Sequence, residues 1–368
     1  IFMQQSIREM TRTRRTPADV MRDATWGAFE GGWRDRLGAD ADHLKTPADI
    51  DACAAEGFSF YTIDPGAQVD SDADTAAVET LKQKVAALRW TELESSAGET
   101  IKRYADRAFE LENRRIVISE EAAWRAAAKY GNAVAHVTLM YRHLVSKGRP
   151  FELEVSVDET ETPTTHAEHI FIVSELKRLG VKWVSLAPRY VGRFEKGVDY
   201  IGDLKALEVD LAGHAAIARA FGPYKLSLHS GSDKFSVYPV MVAATRGLMH
   251  LKTAGTSYLE GLRALARATP SLFRDVLALA IARYSVDCAS YHVSADVTQI
   301  ARPETLTDAE LPGSLDQFDT RQALHVTFGS ALAQYGDDIR SALLAHEAEH
   351  YAALEAHFVR HLTPLAHR

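Results

Sequence analysis

Four side chains suited to a divalent cation fall at the ends of short apolar runs: Asp158 after FELEVSV, His229 after YKLSL, His250 within MHLK and His292 within SYHVS. One carboxylate and three imidazoles match the donors that Zn, Mn, Co or Ni accept, with room for substrate oxygens. A lone histidine more often hydrogen-bonds in a core than ligates. Three of them at equivalent strand ends shift the balance toward metal. Glu159 follows Asp158 directly, and spacing leaves open whether it replaces Asp158 as ligand or works as an acid/base. Lys252 lies two residues beyond His250 on the same face, where it could donate a proton, stabilise an oxyanion or form a Schiff base; a buried ion pair is the competing role. Asp42, in the crowded string DADHLK, suits a general base, a partner for a substrate hydroxyl, or support for a ligand histidine. Arg189, Lys234 and Arg8 are candidates to hold an anionic substrate, with Ser230 and Gln5 as further contacts. His346, His350, His357 and His361 form a helical row that reads as a solvated or packing face, because no strand carboxylate orients it.

These residues need a scaffold that brings strand ends together. Alternation in KLSLH puts Lys225, Ser227 and His229 on one face and Leu226 and Leu228 on the other. In FELEVSVD, Glu152, Glu154, Ser156 and Asp158 oppose Val155 and Val157, as a polar lumen with an apolar exterior requires. Strand candidates begin near residues 2, 36, 58, 152, 182, 225, 248 and 288, and eight parallel strands close a barrel. Thr16-Pro17 and Thr46-Pro47 start helices between them. The expected fold is therefore an α/β, TIM-type (β/α)8 barrel over 1–303, with a helical insertion after the third strand and a helical C-terminal extension over 304–368. The insertion spans 66–150 and reads as almost wholly helical, with breaks at Ser95-Ser96 and Gly131; it covers the barrel mouth or serves packing and oligomerisation.

Composition narrows the function. A net charge of -8 excludes a nucleic-acid surface, which needs clustered Lys and Arg. Two cysteines, Cys53 and Cys288, exclude a disulfide scaffold and fit a cytoplasmic protein. No apolar run is long enough for a membrane helix. The glycines form neither G-x-G-x-x-G nor a Walker A loop, so nucleotide binding has no support. The opening IFMQQS reads as a strand entered partway, with chain expected upstream.

The strings QQSIREMTRT, GADADHLKTP, SVDETETPTTHAEHIF, SLAPRYVGRFEKGVDYIGD, YKLSLHSGSDKFSVYP, HLKTAGTSYLE and YHVS resemble the tagaturonate epimerases from Gln4 to about His292. The resemblance implies a metal-dependent enzyme that interconverts the ketohexuronates D-tagaturonate and D-fructuronate, and members that extend further at the amino end. Its reaction inverts a hydroxyl carbon β to the ketone, which simple enolisation does not activate. Retro-aldol cleavage and readdition is the expected route, since nothing supports a nicotinamide site. In that scheme Asp158, His229, His250 and His292 hold the metal, and Glu159 and Asp296 move protons. Lys252 lies near the oxyanion, and Arg189 or Lys234 holds the carboxylate. A ketose isomerase, a class II aldolase and a non-catalytic sugar-acid binding protein are the alternatives. Oligomeric state is left open.

Overall fold

A computed structural model describes residues 3–112 and 114–366. Nine strands occur among them: β1 (Met3–Ser6), β2 (Ala39–Leu44), β3 (Phe60–Ile63), β4 (Arg107–Leu111), β5 (Arg114–Ile118), β6 (Glu152–Ser156), β7 (Ser185–Ala187), β8 (Lys225–Leu228) and β9 (Met249–Leu251). Seven form one sheet in the order β1-β2-β3-β6-β7-β8-β9. Each successive pair from β1 to β8 is parallel. The Leu226 N–H donates to Leu248 O (3.4 Å) and the Lys252 N–H to Leu228 O (3.3 Å), which places β9 alongside β8. Sequential neighbours in parallel, joined by helices, are what strand–helix repeats produce. Local chemistry starts these helices: Ser6, Thr16, Thr46 and Thr165 each accept the N–H of an acidic residue three positions on, which reaches back to the cap.

The contacts divide the chain into two bodies. The first comprises Ile1–Val191, Lys205–Ser227 and Ala244–His250; the second comprises Gly192–Leu204, Leu228–Ala243 and Leu251–Arg368. In the first, Leu153 and Val155 are buried on one face of β6, while Glu154 and Ser156 are buried on the other. That polar face is satisfied internally: Thr62 Oγ1 contacts Asp40 Oδ1 at 3.1 Å and Glu154 Oε1 at 3.2 Å. In the second body, helices Ser257–Ala268, Pro270–Asp287, Phe318–Val326 and Phe328–Ala345 pack around Leu259, Phe273, Leu277 and Leu324.

Three expectations need correction. The eighth strand near residue 288 is a short 3-10 turn, Cys288–Ser290, after a long helix. Tyr291, Val293 and Ala295 pack against the helical core of the second body, so their alternation has an apolar partner without a ladder. The almost wholly helical insertion also holds a hairpin that helical spacing did not reveal: β4 and β5 pair antiparallel from Arg107↔Ile118 to Leu111↔Arg114. Gly131 is no break: it sits inside the continuous helix Glu120–Ser146, where an added Cβ would lie 2.5 Å from Leu88 Cδ1. It is a contact glycine, and the helix passes through it.

Among the described residues no helix is long and apolar enough to cross a membrane. The second body carries a pH liability. Burial pushes His325 down to about 3 and His357 down to about 4. The folded state holds His325 neutral where the unfolded chain, near 6.5, binds a proton. Stability is therefore full above pH 6.5 and falls as pH drops toward 3, by about 1.4 kcal/mol per pH unit for this one residue. Urea unfolding at successive pH values checks the slope, and His325→Phe is expected to reduce it by one proton.

Candidate active site

The carboxyl edge of the sheet gathers its chemistry on β2, β6, β7 and β9. Strand β2 does so through an irregularity. Its register with β3 shifts between Ala41 and Leu44, and His43 adopts a φ of 56°, in the left-handed region uncommon for a side-chain-bearing residue. A bulge re-aims side chains. Here it lets two consecutive residues cooperate: His43 Nδ1 lies 2.7 Å from Asp42 Oδ1. A carboxylate only accepts, so Nδ1 carries the hydrogen and Nε2 keeps its lone pair. That Nε2 stands 3.9 Å from Asp158 Oδ1. Asp158, two residues beyond β6, accepts a short hydrogen bond from Ser156 Oγ.

His250 on β9 repeats the device. Its Nδ1 is 2.8 Å from Glu154 Oε2, and Glu154 is wholly buried. Phe60 packs edge-on against the ring at 5.2 Å between centroids. Two imidazoles, each fixed by a carboxylate at Nδ1, have the outer support characteristic of metal-ligating histidines. Donors about 2.1 Å from one ion stand about 3–4 Å apart, which the His43–Asp158 spacing meets. As a pair of donors, His43 Nε2 and Asp158 Oδ1 fit a divalent cation.

Around this group the charged residues are spoken for in part. Arg8 grips both oxygens of Glu159 at 2.9 and 3.2 Å. Arg189 donates to Thr160 O, yet its Nε is buried with no hydrogen-bond partner. Burial pushes the Arg189 pKa down, against the pull of Asp158. Asp42 also accepts from Gln4 Nε2 at 2.9 Å. Gln5, the expected substrate contact, instead reaches Thr13 Oγ1 at 3.5 Å on helix Ile7–Thr13, because alternation along β1 turns consecutive glutamines to opposite faces.

In the second body, buried His229 follows β8 directly, with Ser230 next at a φ of 48°. Lys252 is the first residue after β9. Lys234 is fully buried, and its Nζ donates to Glu195 O (2.8 Å), Ser232 O (3.2 Å) and Val198 O. Three carbonyls take its three N–H groups, so the expected substrate clamp is a staple for the 192–204 segment. His292 is exposed and belongs to no strand. Asp296 is exposed too, and caps the turn Val297–Gln299 by accepting from Thr298 N and Oγ1 at 2.9 and 2.7 Å. Neither has the surroundings expected of a ligand or proton carrier. The row on the last helix is not solvated at its end: His357 and His361 are buried beside Asp233. His361 Nε2 accepts the Asp233 N–H at 3.0 Å and Nδ1 donates to His357 O at 2.8 Å, which leaves it no lone pair for a metal.

His43 is the functional candidate that strand alternation misses. Alternation sends it to the helix side, and only the Asp-His adjacency hints otherwise.

The family model for tagaturonate epimerase matches residues 1–365. A tagaturonate/fructuronate epimerase of Thermotoga maritima is 42% identical over 364 residues, covering 98% of this chain and 74% of the relative. The glycerol-bound crystal structure of the fructuronate-tagaturonate epimerase of Cohnella laeviribosi superposes with a TM-score of 0.94 at 36% identity, over 99% of this chain and 75% of that one. The native structure of the same enzyme gives 0.93 at 36% identity and the same coverage.

Proposed function

The chain belongs to the tagaturonate epimerase family, and from that premise we propose that it interconverts tagaturonate and fructuronate at the carboxyl edge of the sheet by retro-aldol cleavage and readdition. The observation that carries the placement is the pair of carboxylate-held imidazoles, His43 and His250, on an edge that also presents Asp158. His43 and Asp158 would hold a divalent cation, with His250, whose ring Glu154 fixes, proposed as a further donor. When bound, such an ion supplies Lewis-acid polarisation of the substrate ketone.

The chain's own groups do the rest. Arg189, with a donor nitrogen unmatched in its buried position, suits the substrate carboxylate. Glu159, held by Arg8, would take the proton of the hydroxyl on the carbon β to the ketone. As that proton leaves, the bond between the α and β carbons breaks. The β carbon becomes an aldehyde, and the bonding pair passes into the α fragment as an enolate. Rotation of the aldehyde and readdition to its other face re-forms the bond, and the proton returns to the inverted alkoxide. Asp42 and Glu154 act through His43 and His250 as positioning residues.

Metal-stripped protein incubated with tagaturonate, with one divalent ion restored at a time, is expected to form fructuronate by NMR. Incorporation of an added labelled aldehyde fragment into product supports the retro-aldol route. Accumulation of cleavage products without epimer would reassign the enzyme as an aldolase, and no turnover with any ion would overturn the reading. Asp42→Asn and Glu154→Gln are each expected to weaken activating-metal affinity about 10–100-fold, with kcat largely recovered at saturating metal. A metal titration of the rate separates this from direct catalysis, in which kcat stays low at any concentration.

A further inference from the structure

Away from the sheet edge, helices His166–Arg178 and Leu204–Phe221 of the first body bring together His166, Asp210 and His214. Asp210 and His214 are four residues apart on one helix and so share a face; His166 is the first residue of the other. Asp210 Oδ1 lies 3.6 Å from His166 Nε2 and 3.5 Å from His214 Nε2. Donors around tetrahedral zinc stand about 3.3 Å apart; both carboxylate–imidazole spacings are within a few tenths of an ångström of that, and all three donor atoms lie within 4.8 Å of one another.

Three observations separate this group from an ordinary polar contact. His214 is 0% exposed, and its Nε2 has no well-formed hydrogen bond, only the 3.5 Å approach to Asp210 Oδ1. A buried ring nitrogen met only by so long a contact calls for an explanation. Its ring is fixed from the opposite side: Nδ1 is 2.8 Å from His169 Nδ1, and His169 Nε2 is 2.7 Å from the Tyr224 hydroxyl. Ligation through Nε2 puts the hydrogen on Nδ1, and His169 is there to accept it. Gly213 also makes space, since a Cβ there would fall 2.2 Å from His166 Nε2. Only a glycine lets that imidazole approach the helix. The group is reachable from solvent through His166 and Asp210, whose side chains are 27% and 13% exposed.

We propose that His166, Asp210 and His214 form a second, non-catalytic zinc site that clamps the two helices together. His166 Nε2 gives up its 3.0 Å contact with Asp210 O to ligate, and water fills the fourth position. Asp210 Oδ2 keeps its hydrogen bond from the Val191 N–H at 3.2 Å, so the clamp also steadies the segment that follows Arg189.

The test uses full-length chain stripped with chelator, then loaded with Zn2+ or Co2+ and desalted. His166→Ala, at a partly exposed helix start, is expected to lose one equivalent of bound zinc relative to wild type, together with the rise in melting temperature that zinc loading gives. His43→Gln is expected to keep that equivalent. Gly213→Ala, which crowds His166 directly, should lose it too. With Co2+, the visible bands of a tetrahedral site should be present in wild type and His43→Gln and absent in His166→Ala. Equal zinc content and equal cobalt bands in wild type and His166→Ala would overturn the proposal. Loss of the same equivalent in His43→Gln as in His166→Ala would also overturn it, by assigning that ion to the sheet edge.

Discussion

Asp158→Asn will lower kcat for tagaturonate epimerisation by roughly a thousandfold while leaving the protein folded. The amide keeps the shape and the acceptor for the Ser156 hydroxyl, so the local turn survives. It removes the negative charge that faces His43 Nε2 at 3.9 Å. A cation held there, as proposed, would stabilise the transition state by several kcal/mol, and losing about 4 kcal/mol is a factor of about a thousand. Steady-state rates at saturating metal, beside an unchanged circular-dichroism melt, check this. A variant within tenfold of wild type would remove Asp158 from the site and leave Glu159 as the acidic donor on that segment.

The second large effect concerns stability. Lys234→Met keeps the length and the aliphatic body of the side chain but deletes the donors to Glu195, Val198 and Ser232. Each buried carbonyl left unmatched costs about 1–3 kcal/mol. Burial holds the lysine pKa down at about 7, so removing the amine also relieves a desolvation penalty. The carbonyls win because three lose a partner at once, and the expected net loss is roughly 3–5 kcal/mol in urea unfolding. A loss below 1 kcal/mol would mean that the 192–204 segment finds other donors.

Much of the fold was legible because its signals are periodic. Alternation in FELEVSVD gave β6 and its polar face, and Thr-Pro pairs gave two helix starts. The eighth strand was not legible as absent, since Tyr291 and Val293 alternate the same way whether their apolar side meets a sheet or the helices of the second body. Of the residues in the proposed site, Asp42, Asp158 and His250 stand at strand ends, where alternation leads to them. His43 was hidden because a bulge breaks the period on which the reading depends. Lys234 misled for the opposite reason: a cation in a Gly-Ser-Asp loop looks available, and only the fold reveals that backbone carbonyls already surround it.

The kink in β2 bears on how such a chain can change over generations. A strand that alternates cleanly tolerates point substitutions on its outer side but presents one residue in two to the reaction. With the extra residue between Ala41 and Leu44, neighbouring codons both contribute, one as imidazole and one as the group that steadies it. Loss of any single codon there would restore regular pairing and turn one of the two away. That short stretch is thus expected to accept exchanges of side chain more readily than changes of length, and a library of one-residue deletions along 39–44 should lose function most sharply within it.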